Sequence, residues 1–141
     1  MFISLVWLAL GGLLHTFGFG LWTIPLAAWL VPLFMLRFSR RAKPLAGALG
    51  IWLAFYIGTC IANSGFMLVM PGGLYFIIMS LFSAFYVLPY LADRLIAPRL
   101  PGFVSTLVFP AAWVTMELLS SHVNPYGTWT AIAYTQYGNQ P

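Results

Sequence analysis

Charge is what this 141-residue chain has least of. Asp, Glu, Lys and Arg together make up 6% of it, with only two acidic residues, Asp93 and Glu117. A soluble domain carries about 25% charged residues, so a water-surrounded globule is excluded. Cysteine is nearly missing as well. The single Cys60 rules out an intrachain disulfide and any multi-cysteine metal site. No basic segment precedes the first apolar run, which starts at Met1, so no cleavable secretory signal is read. The net charge of +4 is not a nucleic-acid footprint, because four of the six cations (Arg37, Arg40, Arg41, Lys43) crowd into one short stretch between apolar runs.

The chain is rich instead in hydrophobic length. Apolar residues are 62% of the chain, and the stretch 44–92 carries no charge at all. Because a helix crosses a bilayer with roughly 20 apolar residues, the reading is an all-α, polytopic transmembrane helical bundle. Gly, Pro and charge divide it into about five spans, near 2–14, 21–38, 45–70, 74–92 and 103–120, with 121–141 as an outer interfacial segment. The third span is expected to be one long helix and the first is short. A re-entrant hairpin over 1–38 is the alternative to two spans there, since glycines at 18 and 20 permit a reversal and Pro25 and Pro32 interrupt the second span. The basic cluster at 37–43 and the group Asp93, Arg94 and Arg99 mark two loops as cytoplasmic, whereas 15–20 and 71–73 contain no Lys or Arg. This asymmetry places the N-terminus inside and the segment after Ser120 outside.

Span three repeats a small residue every fourth position: Ala46, Gly50, Ala54, Gly58 and Ala62. Such a stripe lets a second membrane helix approach closely. Glu117 is the acidic residue within a span, and a carboxylate at membrane depth is costly unless it is paired, protonated or near the interface. Trp113 lies one turn earlier on the same face. Two roles stay open for Glu117, local hydrogen bonding and direct contact with substrate. Cys60 reads as an inert thiol. His15 and His122 fall on the same expected outer side, but with no further ligand at fixed spacing no metal site is read, and no cofactor. After the turn chemistry of Asn124-Pro125-Tyr126-Gly127, the aromatic residues Trp129, Tyr134 and Tyr137 suit the headgroup level, as a belt or as lipid-substrate contacts.

The stretch Phe109-Pro110-Ala111-Ala112-Trp113-Val114-Thr115-Met116-Glu117, followed by Asn124-Pro125-Tyr126-Gly127-Thr128-Trp129 and Ala133-Tyr134-Thr135-Gln136-Tyr137, resembles the membrane region of bacterial apolipoprotein N-acyltransferases. That family has a Pro-Ala-x-Trp-x-x-x-Glu helix, then a Gly, Pro and Trp-bearing loop and a Gly-Tyr-Ser-Gln-like segment. Phe17-Gly18-Phe19-Gly20-Leu21-Trp22 and the basic turn after Leu36 are similar to the family's first hairpin. The resemblance implies a multi-pass protein of the bacterial cytoplasmic (inner) membrane. Its partners would be the phospholipid bilayer, a phospholipid acyl donor and a diacylated lipoprotein. The reaction implied is transfer of an acyl chain, through a cysteine thioester, to the α-amine of a diacylglyceryl-cysteine lipoprotein.

Family members carry the Glu, Lys and Cys that do this chemistry in a nitrilase-like domain on the outer face. The resemblance here ends at Pro141, so the expectation is a membrane portion of a longer protein, with that domain supplied in cis or in trans and no catalytic residue in these 141. Trp113, Glu117, Tyr126, Trp129 and Tyr134 are the expected lipid- or substrate-facing residues. Two other classes stay open, a non-catalytic membrane scaffold, which needs only packing stripes and aromatic belts, and a small transporter subunit, which calls for more intramembrane polar residues than this chain has.

Overall fold

A computed structural model of the chain describes residues 2–18, 22–123, 127, 131 and 132. Among them the architecture is entirely helical, with α1 at Phe2–Thr16, α2 at Pro25–Arg41, α3 at Pro44–Ala62, α4 at Gly72–Ile96 and α5 at Val108–Val123. Three stretches, Pro44–Ala62, Gly72–Arg99 and Gly102–Val123, are long and apolar enough to cross a membrane. The chain divides into two compact units, Met1–Val87 and Leu88–Pro141. The division falls within α4 just before Pro89, whose ring removes a helical hydrogen bond.

In the first unit, proline sets the helix starts. Pro25 and Pro44 open α2 and α3, where a missing N–H costs nothing. The residue before a proline is driven out of the helical region, and Lys43 accordingly has φ −62 and ψ 149. With Ala42 also extended, α2 and α3 are joined by a two-residue turn. Small residues then decide how closely the helices approach. A Cβ added to Gly12 of α1 would lie 3.1 Å from Ala54 Cβ of α3, and one on Gly58 would lie 3.3 Å from the Gly12 carbonyl oxygen. Gly50 of α3 faces the Phe38 ring of α2, and Gly11 of α1 faces Met35. Trp7 and Phe34 stack with centroids 5.5 Å apart. Between α3 and α4 the bridges are longer side chains. Trp52 Nε1 donates to the Ser80 carbonyl at 3.3 Å, and the Tyr75 hydroxyl to the Cys60 carbonyl at 2.6 Å.

Helix limits differ from the sequence expectation in several helices. The second, expected over 21–38, runs from Pro25 to Arg41, so Arg40 and Arg41, expected in a loop, are helical. The third span, expected over 45–70, stops as a helix at Ala62, and a 3-10 turn at Ser64–Leu68 comes after it. Asn63 ends it: its side-chain amide and its backbone N–H both donate to the Thr59 carbonyl at 3.0 Å, the local competition that makes Asn a poor helix interior residue. At 19 residues, α3 is about 28 Å long, close to a hydrocarbon core of about 30 Å. The fourth helix runs past 92 to Ile96, so Asp93 and Arg94, expected in a loop, are helical, and Asp93 is 1% exposed. The fifth span starts as a 3-10 turn at Gly102–Leu107. There Ser105 and Thr106 hydroxyls donate to the carbonyls three residues back. Pro110 sits in the first turn of α5, where it is tolerated.

Candidate functional site

In the second unit an aromatic cluster positions the site. Tyr90 of α4 packs against Phe109 and Trp113 of α5, with centroids 4.9 and 6.4 Å away, the second edge-on. Phe109 and Trp113 are four residues apart and so share a helix face, at 5.7 Å. This fixes the Trp113 indole, which is 7% exposed. Its Nε1 donates to Glu117 Oε1 at 2.9 Å, one turn further along. The same oxygen accepts the backbone N–H of Ile132 at 2.7 Å.

A carboxylate oxygen has lone pairs for both bonds, and hydrogen bonds to a charged acceptor are about twice as strong as neutral ones. Glu117 therefore ties the indole of its own helix to the backbone at Ile132. Local hydrogen bonding, one of the two roles open for Glu117, is present in the structure. Its second oxygen takes no bond from any described residue. Trp113 and Glu117 are thus brought together, whereas Tyr126, Trp129 and Tyr134 lie outside the described residues.

Of the small-residue stripe, Gly50, Ala54 and Gly58 make the close approaches to α1 and α2, and Ala62 is buried. Ala46, its first member, is exposed and has no part in them. Cys60 is a free, half-buried thiol in the last turn of α3, and Lys43 precedes the first. Seventeen positions of helix separate them by about 26 Å, so these two residues cannot form one nucleophile and base. His122 is exposed, with Nδ1 3.1 Å from the Leu118 carbonyl oxygen. Among the described residues no three His, Cys, Asp or Glu side chains converge as metal ligands.

A polar cluster that the sequence reading missed lies in the first unit. His15, expected at the start of a loop, is in the last turn of α1 and 2% exposed. Its Nε2 is 3.0 Å from Thr59 Oγ1 of α3. Ser83 of α4, fully buried, donates to the Met79 carbonyl at 2.7 Å and reaches Thr59 Oγ1 at 3.5 Å. Phe55 and Tyr86 flank the imidazole, with centroids 4.3 and 5.8 Å away. The cluster joins three helices through side-chain polar atoms. One signal does point to it: Thr59 adjoins Gly58, so the hydroxyl stands beside the closest helix approach.

No curated protein and no solved structure matches the chain. The family described as apolipoprotein N-acyltransferase N-terminal domain matches it over residues 5–141. That extent includes α2 to α5 whole and the Trp113 and Glu117 pair. The chain belongs to the apolipoprotein N-acyltransferase N-terminal domain family.

Proposed function

We propose that these residues form the membrane portion of an apolipoprotein N-acyltransferase-like protein of the bacterial inner membrane, crossing it several times with the N-terminus on the cytoplasmic side. The observation that carries this reading is the family match over residues 5–141. The reaction is transfer of a phospholipid acyl chain to the α-amine of a diacylglyceryl-cysteine lipoprotein. In its first step a cysteine thiolate attacks the lipid ester carbonyl and the lysophospholipid leaves as its alcohol after taking up a proton. In the second step the lipoprotein amine attacks the thioester, loses its proton and releases the thiolate. A nitrilase-like domain, joined in cis or in trans, supplies the thiol and its acid/base partners. The membrane portion supplies a lipid-facing surface to which Glu117, Tyr126, Trp129 and Tyr134 belong, with the buried Trp113 holding Glu117 from behind. The separation of Cys60 from Lys43 along α3 supports placing the chemistry outside this chain.

The test uses the purified chain and phospholipid labelled in its acyl group. The chain alone forms no hydroxylamine-sensitive adduct, and Cys60→Ser behaves as the parent. With a nitrilase-like domain joined to it, label appears on the amine of a diacylated lipoprotein. A stoichiometric thioester on Cys60 overturns the reading. So does the lack of transfer by a folded, joined protein.

A further inference from the structure

The end of α2 gathers cations on one face. Arg37 and Arg41 are four residues apart and so point to the same side. Both are exposed, as is Lys43 just beyond the helix, while Phe38 and Ser39 are the buried residues of this turn. Like charges so spaced repel each other, and the carboxyl end of the helix offsets only part of that. No carboxylate is close in sequence or in the same unit: Met1–Val87 contains no Asp or Glu. Asp93 is buried in α4 and Glu117 accepts from Trp113 and Ile132. Among the described residues the side chains of Arg37, Arg41 and Lys43 make no hydrogen bond or ion pair, whereas Arg40 is already engaged within the chain. The first unit therefore holds no carboxylate to neutralise the three.

The surface leading to them indicates what would carry a neutralising anion. Leu26, Trp29 and Leu33 are 64, 67 and 59% exposed. With steps of three, four and four residues, they run along one face of α2 into Arg37. From Leu26 to Arg37 is about 16 Å of helix, the depth of one leaflet of a hydrocarbon core of about 30 Å. An apolar strip one leaflet long that ends in a pair of guanidinium groups has the dimensions and polarity of a single phospholipid. Guanidinium groups also match phosphate oxygens in geometry.

We propose that this face of α2 binds an anionic phospholipid, its phosphate between Arg37 and Arg41 with Lys43 beside them, and its acyl chain along Leu33, Trp29 and Leu26. This site is separate from the Trp113 and Glu117 pair and does not rest on the acyltransferase reading.

The test is lipid retention by the purified full chain in detergent, read by native mass spectrometry. The probes are dioleoyl phosphatidylglycerol, dioleoyl phosphatidylcholine, dihexanoyl phosphatidylglycerol and inorganic phosphate. The long-chain anionic lipid is retained at least tenfold better than the choline lipid. Each arginine removed weakens it about fivefold, so Arg37→Gln with Arg41→Gln lowers retention roughly 25-fold, and Arg37→Gln alone reports the same loss in part. Arg99→Gln, in the other unit, changes nothing. Trp29→Ser with Leu33→Ser weakens the dioleoyl lipid and leaves the dihexanoyl lipid unaffected. Equal retention of the anionic and choline lipids overturns the proposal, and so does unchanged retention in a folded arginine variant. Inorganic phosphate bound as tightly as the long-chain lipid identifies a free-anion site and overturns it too.

Discussion

Gly58 is a position where one added carbon meets the backbone of a neighbouring helix. A Cβ there lies 3.0 Å from His15 Cδ2, 3.3 Å from the Gly12 carbonyl oxygen and 3.3 Å from Thr16 Oγ1. The carbonyl belongs to the backbone of α1 and cannot rotate away, so Gly58→Ala must separate α1 from α3 by a few tenths of an ångström. Overpacking of this kind costs about 1–3 kcal/mol. The same shift stretches the 3.0 Å contact between His15 and Thr59, and interhelical hydrogen bonds in membranes contribute roughly 0.6 kcal/mol. Against this stands the gain from removing a helical glycine, about 1 kcal/mol. The net for alanine is a destabilisation of about 1–2 kcal/mol, and Gly58→Leu, with three more carbons to place, exceeds it. For a chain of this size 1 kcal/mol moves the melting temperature by about 3–4 °C. Thermal unfolding in detergent should show Gly58→Ala lower by about 3–8 °C and Gly58→Leu lower still. Leu53→Ile, on the exposed side of α3, should melt with the parent. Gly73→Ala, where a Cβ meets nothing within 4 Å, should melt at or slightly above the parent, since it removes a helical glycine without a clash. If Gly58→Leu and Leu53→Ile are tolerated equally, the close approach of α1 to α3 does not hold the unit together.

Glu117→Ala removes the acceptor for the Ile132 amide, and a hydrogen bond to a charged acceptor contributes about 1.5–3 kcal/mol. Hydrogen exchange at that amide should accelerate roughly 10- to 100-fold, while Glu117→Gln, which keeps an oxygen in place, retains most of the protection; equal exchange in parent and alanine variant refutes the tie. Thr59→Val deletes the hydroxyl between His15 and Ser83 and takes one polar contact from each at a cost of about 1 kcal/mol, so it should melt below Thr59→Ser. A Val variant as stable as the Ser variant would mean the cluster contributes nothing to holding the helices. For topology, single cysteines at Lys43 and Gly72, both exposed, in a Cys60→Ser background should give labelling by an impermeant thiol reagent on intact cells at 72 and not at 43. The reverse pattern inverts the assignment.

Much of the fold is written in local chemistry. Pro25 and Pro44 fix helix starts, and the glycine and alanine repeat in α3 shows which face can accept a neighbour, because neither needs knowledge of the partner. The Trp113 and Glu117 pairing arises from four-residue spacing alone. The next group on their shared oxygen is fifteen residues away at Ile132, and no periodicity encodes that. Asp93 shows the same limit: a charge beside Arg94 reads as a loop, yet α4 carries it onward and buries it. His15, Thr59 and Ser83 are isolated in the sequence, and only the crossing of three helices makes them neighbours. Asn63 is the instructive error. The uncharged run continues through it to Met70, but its amide closes on the Thr59 carbonyl and ends the helix.

The two-residue connection between α2 and α3 also has a kinetic consequence. Phe38 and Gly50, which touch across it, are only twelve positions apart, so little chain entropy is lost in bringing them together. Gly12 and Ala54 must close a loop more than three times as long. Contacts of short sequence separation form fastest. The α2–α3 turn therefore closes at little entropic cost once both helices exist. The helix synthesised first, α1, already meets α2 through Gly11 against Met35 and Trp7 against Phe34, and its contact with Ala54 and Gly58 waits for the longer loop to close.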